Sequence, residues 1–397
     1  MTHFDQKTLL PALLQVEDRV SMHVSLESRV PLLDTRLVDL VTKIPPTLKF
    51  QGGRTKHLLK RAVSSLLPDS ILNRKDKMGF PVPLNNWFSG NFNELAKEII
   101  YPFIDDFMSE NDLSKIIDKS YSVFRKQNVV ELVKIGDRSV LELFHGPTLA
   151  FKDVAMQLLG NFYEYYLSNK KNKINIVVAT SGDTGAAAID AIKGKENINI
   201  FVLHPNNRIS PVQRKLMTTS NEKNGFNIAV KGSFDDCQNI VKAMFVDQVF
   251  ANEIKMSGVN SINWARIIAQ SVYYFYSYLL VEDNSEPINF SVPTGNFGDV
   301  YAGYLAKKIG LPINKFIVAT NQNDILHRAI TNGAYNVENV SETISPSMDI
   351  QIASNFERLI FDLNNHSDKK TIDVMRSIKE KGKYEIRKEN LDKINVN

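Results

Sequence analysis

Hydrophobic positions change their period twice along this chain of 397 residues. From Asp5 to about Arg74, Leu and Val recur three and four residues apart, the spacing of one face of a helix. Leu9, Leu10, Leu13 and Leu14 form one such face, Leu33, Leu37, Leu40 and Val41 a second, and Leu58, Leu59, Ala62 and Val63 a third. Pro31, the Pro45–Pro46 pair and Pro68 punctuate them, and Met78 to Phe88 (MGFPVPLNNWF) reads as a non-helical loop. From about Glu94 further helical spacing leads to Arg125, and a short extended run follows at Val140 to Leu143.

Beyond it, strand-like and helix-like runs alternate. Five strands are predicted: Ile174–Ala179, Ile198–Leu203, Phe226–Val230, Ile288–Val292 and Phe316–Ala319. Helices are predicted over Ala186–Ile192, Cys237–Phe250 and Val300–Lys308. This alternation predicts an α/β fold, a parallel sheet covered by helices, with ligands gathering at the carboxyl ends of its strands. Ile267–Val281 (IIAQSVYYFYSYLLV) is the longest apolar stretch; it is shorter than a membrane span and carries Gln270, Ser271 and Ser277, so it reads as a buried helix. The charged stretch from Asn365 onward shows no obvious closing strand.

Composition narrows the function classes. Hydrophobic residues are 43% and charged residues 23%, an ordinary globular balance. Lys+Arg number 48 against Asp+Glu 44, and the resulting +4 argues against nucleic acid or an anionic membrane as partner. The start has no signal-peptide pattern. Cys237 is the only cysteine, which excludes an internal disulfide and fits a cytoplasmic setting. The seven histidines, among them His145, His204 and His327, show no HExxH or paired-ligand spacing, so no metal is expected.

The chemistry concentrates in three motifs. Lys152 lies in HGPTLAFKD at the start of an apolar helical pattern, with Phe151, Val154, Ala155, Leu158 and Leu159 around it. Burial disfavours the ammonium form and leaves an amine nucleophilic. SGDTG (Ser181–Gly185) and TGNFGD (Thr294–Asp299) each sit between a strand and a helix, where glycine permits close approach and helix-start amides favour an anion. Taken singly, each is equally compatible with a surface lysine or a plain turn. Together, a buried amine and two anion cradles suggest a cofactor carrying an aldehyde and a phosphate, and pyridoxal 5'-phosphate has both. TGNFGD lacks the Gly-Lys-Ser/Thr ending of an ATP loop and the spacing of GxGxxG, so ATP and NAD are poor readings.

In this order, ELFHGPTLAFKD, SGDTGAAA, NSINWAR and PTGNFGD resemble the threonine synthase family over about residues 94–386. The resemblance implies the tryptophan-synthase-β-like (fold type II) pyridoxal-phosphate core, with parallel sheets. It also implies conversion of O-phospho-L-homoserine and water to L-threonine and phosphate. Carried over residue by residue, Lys152 would be the Schiff-base lysine and the mover of protons at the α and β carbons. Gly295, Asn296, Phe297, Gly298 and Asp299 would hold the cofactor phosphate. Asp183 would lie near the ring hydroxyl, Ser181 and Thr184 would face the substrate carboxylate, and Asn260 and Arg266 would bind the substrate phosphate. For Arg266, packing on Trp264 is the alternative.

The front is different. SLESRVPLLD, TKHLLK and KMGFPVPLNNW, within about residues 2–89, resemble the C-terminal region of the glutamine-hydrolysing asparagine synthetase family. That family's SGGxDS ATP loop and its N-terminal cysteine nucleophile have no counterpart here, which leaves Lys56, near the nucleotide phosphates in the family, equally a solvated helix lysine. The expectation is therefore a fusion: a helical fragment, residues 1–92, and a threonine-synthase-like domain, residues 93–397. The second part is also expected to be without the family's N-terminal segment and the C-terminal stretch that supplies a hydroxyl to the ring nitrogen. An inactive fusion product and an amidotransferase fragment are the alternative readings. A helical fragment without its partner sheet is expected to leave apolar faces uncovered.

Overall fold

The computed structural model describes residues 91–396 except 171, 208, 221 and 282–286, and, before them, 10, 14, 18, 21–23, 25–26, 29–30, 33–49 and 57–68. Leu9, Leu13, Pro31, Lys56 and the 78–88 loop lie outside the described residues. The chain divides into two units, Met1–Val82 and Pro83–Asn397.

In the first unit, helices run over Thr35–Lys43, Pro46–Lys49 and His57–Ala62. Asp34 starts the first of them: its carboxylate accepts the Arg36 N–H at 2.9 Å, an N-cap. The helical period is there, but burial is not. The Thr35–Lys43 helix has no buried residue, and Leu40, Leu48 and Leu66 are exposed by 60%, 54% and 76%. Among the described residues of this unit, no hydrophobic side chain reaches the core.

In the second unit the strands are β1 (Glu131–Ile135), β2 (Arg138–Glu142), β3 (Ile174–Ala179), β4 (Ile198–Pro205), β5 (Gly225–Val230), β6 (Met256–Ser257), β7 (Ile288–Pro293), β8 (Ile313–Ala319), β9 (Ala334–Asn336) and β10 (Lys383–Glu385). All five strands predicted beyond residue 170 are present. They fall into two parallel sheets, as the family resemblance implies: β5-β4-β3-β6, and β7-β8. β1-β2 and β9-β10 are small antiparallel pairs, and β10 gives the charged C-terminal stretch a strand that its sequence did not announce. At three residues β10 is too short for a period-2 pattern to register.

Alternation explains why the larger sheet is parallel. Ile176 and Val178 of β3, with Ile198, Ile200 and Val202 of β4, enter one core; Val177 and Leu203 enter another on the opposite face, with Cys237. A sheet covered on both faces is the setting in which parallel strands are found. The helix Lys152–Lys170 is shared. Val154, Ala155 and Leu158 belong to the largest core, whereas Met156, Leu159 and Leu167 pack toward β3 and β4. The helix Trp264–Leu280 is buried from Arg266 to Tyr278, as its long apolar stretch predicts. Its serines fit because their hydroxyls donate within the helix, Ser271 Oγ to the Ile268 carbonyl at 2.7 Å and Ser277 Oγ to that of Tyr274 at 3.0 Å.

The helices Phe92–Ile100 and Glu110–Tyr121 contribute Phe92, Leu95, Leu113 and Ile117 to that same largest core. Phe92 meets the edges of Tyr121 and Tyr276, both at 5.3 Å between centroids. A polar chain runs beside them: Lys195 donates to Asn161 (2.6 Å), and Asn161 to the buried Ser120 hydroxyl (2.8 Å).

Phe92→Ala is expected to cost about 3–5 kcal/mol, because a fully buried ring leaves a cavity. Leu40→Ala, at an exposed position, is expected to change stability by less than about 0.5 kcal/mol. Urea unfolding of the full chain distinguishes them; equal midpoint shifts would show that the first unit is packed as tightly as the second.

Candidate active site

Lys152 is the first residue of its helix, and the preceding turn is pinned by the residue after it. The Asp153 carboxylate is fully buried and accepts from the Thr148 amide (2.8 Å) and hydroxyl (2.6 Å). That fixed turn directs the Lys152 side chain inward, where only 8% of the residue remains exposed. Its ammonium lies 4.3 Å from the Phe151 ring centroid and 3.2 Å from Asp183 Oδ2. Burial pushes the Lys152 pKa down; the Asp183 charge opposes this and the Arg266 charge adds to it.

The SGDTG turn follows β3 and opens the helix Asp183–Ile192. Two of its amides, Gly182 and Gly185, are taken by the buried Thr180 hydroxyl at 3.0 and 2.9 Å. Thr180 thus shapes the turn, although strand periodicity makes it look like a simple strand end. Gly182 has φ +141°, and a Cβ there would lie 2.2 Å from Gln213 Oε1. Asp183 accepts from Lys152, from the Gln213 side-chain amide and from the Ser347 hydroxyl. Burial pushes its carboxyl up, but Lys152, Ser347 and Gln213 together hold it below the usual range. Ser181 and Thr184 stand half-buried on either side.

The TGNFGD turn follows β7 and opens the helix Gly298–Ile309. Three of its side chains are engaged by the surrounding protein. Asn296 donates to the Ser261 hydroxyl and accepts from the Ser354 amide at 2.6 Å. Phe297, at φ 62° and ψ 6°, buries its ring edge-on to Phe356 at 5.2 Å. Asp299 accepts from the hydroxyls of Tyr273 and Tyr274, and burial raises its pKa. What remains at the turn is backbone: the first amides of a helix, which have no intrahelical acceptor. At Gly295 the turn packs closely on another segment, since a Cβ there would lie 3.0 Å from Met348 Cα.

Residues 345–358, which no sequence motif marked, tie the two turns together. Ser347 binds Asp183, its neighbour Met348 backs Gly295, and Asn355 donates to the carbonyls of Asn296 and Ser261, both at 3.2 Å. A polar sequence with local hydrogen-bonding residues reads as an ordinary loop until these distant partners are placed.

Arg266 is 3% exposed. Its Nη1 donates to the Val259 carbonyl at 3.2 Å, its Nε has no partner, and burial pushes its pKa down to about 10. The cation over Trp264 is Arg358, 5.4 Å from the ring centroid. Packing on Trp264 is therefore not the role of Arg266. Asn260 is exposed, and its carbonyl accepts the Asn263 N–H at 3.1 Å. The structure brings Asp183, Arg266 and Asp299 within electrostatic reach of Lys152. Elsewhere, the β1–β2 pairing sets Glu131 opposite Glu142, and His145 lies 3.0 Å from Glu142 and 3.9 Å from Glu131. Lys126 already pairs with Glu131 at 2.6 Å.

Two family models match the chain. "Asparagine synthase" matches residues 1–130 and "Pyridoxal-phosphate dependent enzyme" residues 140–384. The first match extends over the Phe92 and Glu110 helices, whose apolar faces nevertheless lie in the core of the second unit. Among curated relatives, the threonine synthase of Pseudomonas aeruginosa is 47% identical over 302 residues, covering 76% of this chain and 64% of that one. That of Saccharomyces cerevisiae is 45% identical over 330 residues, covering 77% and 64%. The chain thus spans about two-thirds or less of the length of such relatives. Among solved structures, the threonine synthase of Brucella melitensis with pyridoxal phosphate bound is similar at TM-score 0.75 and 46% identity, covering 79% of this chain and 68% of that one. The yeast threonine synthase is similar at TM-score 0.74 and 42% identity, covering 81% and 68%. The fold is accordingly the type II pyridoxal-phosphate architecture.

Arg266→Met is expected to leave stability unchanged or raised by about 1–4 kcal/mol, because it replaces a buried and incompletely bonded cation with an apolar chain. Thermal unfolding of the two proteins measures this. A marked loss of stability would show that Arg266 is held for packing rather than kept ready for an anion.

Proposed function

Because this chain belongs to the pyridoxal-phosphate-dependent enzyme family, we propose that it carries the site for converting O-phospho-L-homoserine and water to L-threonine and phosphate. The carrying observation is the buried Lys152 amine, 3.2 Å from Asp183 and under the field of Arg266. The residues fit the cofactor: a buried amine with a depressed pKa suits linkage to an aldehyde, and the turn that opens the Gly298–Ile309 helix offers backbone amides to a phosphate. The unpartnered Arg266 Nε suits a second anionic group.

When bound, pyridoxal phosphate supplies the aldehyde and a ring that withdraws electrons from the substrate's α carbon. The protein's part is placement and proton movement. The Gly295–Asp299 turn presents backbone amides to the cofactor phosphate, while Asn296, Phe297 and Asp299 use their side chains to hold the turn in shape. Asp183 orients the Lys152 amine at the base of the site. Ser181 and Thr184 donate to the substrate carboxylate. Arg266, with Asn260, takes the substrate phosphate in a fork of N–H donors. Once free, the Lys152 amine takes protons from the α and β carbons and returns protons at the γ carbon, which becomes the methyl group, and at the α carbon. The Cγ–O bond breaks as phosphate leaves, and water supplies the hydroxyl at the β carbon.

Residues 1–92 form the foreign helical fragment and 93–397 the enzyme domain in this reading. It is supported by the described residues before Phe92, none of whose hydrophobic side chains is buried. A cytoplasmic setting is supported by the single, free and buried Cys237.

Adding pyridoxal phosphate to the purified chain is expected to produce the absorbance of a lysine-linked cofactor, and Lys152→Ala to abolish it. Phosphate release from O-phosphohomoserine should then fall by orders of magnitude in the variant. No lysine-linked absorbance in the parent protein would refute the reading.

A further inference from the structure

Asp183 receives donors from three separate segments, and one of them is a side chain with its own built-in orienter. Gln213 lies in the first turn of the helix Pro211–Thr218, which Ser210 caps by accepting the Gln213 amide at 3.2 Å. The Ser210 hydroxyl in turn donates to Gln213 Oε1 at 3.0 Å. This leaves the Gln213 Nε2 amide to face Asp183 Oδ1. The orientation follows from chemistry: an ionised carboxylate only accepts, so the amide must present nitrogen to it and oxygen to the serine. Asp183 Oδ2 is then left for Lys152, at 3.2 Å, and Ser347. Gly182 makes the approach possible, because any Cβ there would displace the Gln213 amide.

We propose that Gln213, oriented by Ser210, is a positioning residue that fixes the Asp183 carboxylate against Lys152 and so governs how readily that amine gives up its proton. The inference rests on the reading of Lys152 as the cofactor-linking amine. A carboxylate that loses one donor stays ionised where an amine titrates but turns more freely, which loosens its hold on the ammonium. A second carboxylate in the same place would add negative field and strengthen that hold. The other charged groups around the pair are Arg266 from the helix Trp264–Leu280 and Asp299 from the helix Gly298–Ile309, the latter bonded to Tyr273 and Tyr274. None of them is altered by the substitutions that test the proposal.

The test is the titration of the Lys152 amine in the full chain, freed of cofactor by hydroxylamine. Its rate of acetylation by acetic anhydride is followed against pH by mass spectrometry. Gln213→Leu is expected to lower the apparent pKa of Lys152 by about 1, the size expected for one hydrogen bond to a charged group. Gln213→Glu is expected to raise it by a similar amount. Ser210→Ala should act as Gln213→Leu does, more weakly, and stands in for it should the leucine variant fail to fold. Opposite shifts support the proposal, because a residue that only packs the helix would not move the amine in both directions. Shifts of one sign, or none, overturn it. The underlying functional reading fails differently: there the parent protein takes up no pyridoxal phosphate, whatever the variants do.

Discussion

A lysine amine in a nearly closed interior is the constraint on which the second unit depends. Burial disfavours its charge, so the protein supplies a counter-charge beside it. The solution divides the work. Asp183 approaches at 3.2 Å and is itself restrained by Gln213 and Ser347, while Arg266 opposes the ammonium from another side. The amine is thereby held in place and made easier to deprotonate.

This arrangement explains why the Lys152–Lys170 helix is shared by two cores. Its residues alternate between the large helical core and the layer against β3 and β4, so the position of Lys152 is set by packing on both sides. The two turns are anchored at the carboxyl ends of β3 and β7, in different sheets. Residues 345–358 then join them through Ser347, Met348 and Asn355. Rigid strands fix where each turn begins, and the polar segment fixes the distance between them.

The first unit is the contrast. The Thr35–Lys43 helix carries a cap, and apolar residues recur periodically, yet Leu40, Leu48 and Leu66 face outward. Amphipathic spacing determines which face a helix would bury; it does not supply the surface to bury it against. The Phe92 and Glu110 helices have the same kind of pattern and are buried, because the Trp264–Leu280 helix offers Tyr276 and its neighbours as a partner face.

Local order therefore determined a large part of this protein by itself. Period-2 and period-3.6 spacing marked the strands and the buried helix, and Lys152, SGDTG and TGNFGD announced a phosphate-bearing aldehyde cofactor. Those features depend on neighbours a few residues away, which a sequence displays directly. Tertiary structure alone decided which strands join which of the two parallel sheets and that Arg358, rather than Arg266, lies over Trp264. It also decided that Thr180 fills two of the turn's amides, and that Gln213 and Ser347 restrain Asp183. Except for Thr180, these pairings join groups about 30 to more than 150 residues apart, and nothing in hydrophobic period or short motif encodes which distant polar groups meet. The Thr180 bonds are local, but a threonine at a strand end has the same appearance whether or not its hydroxyl turns back onto the following amides.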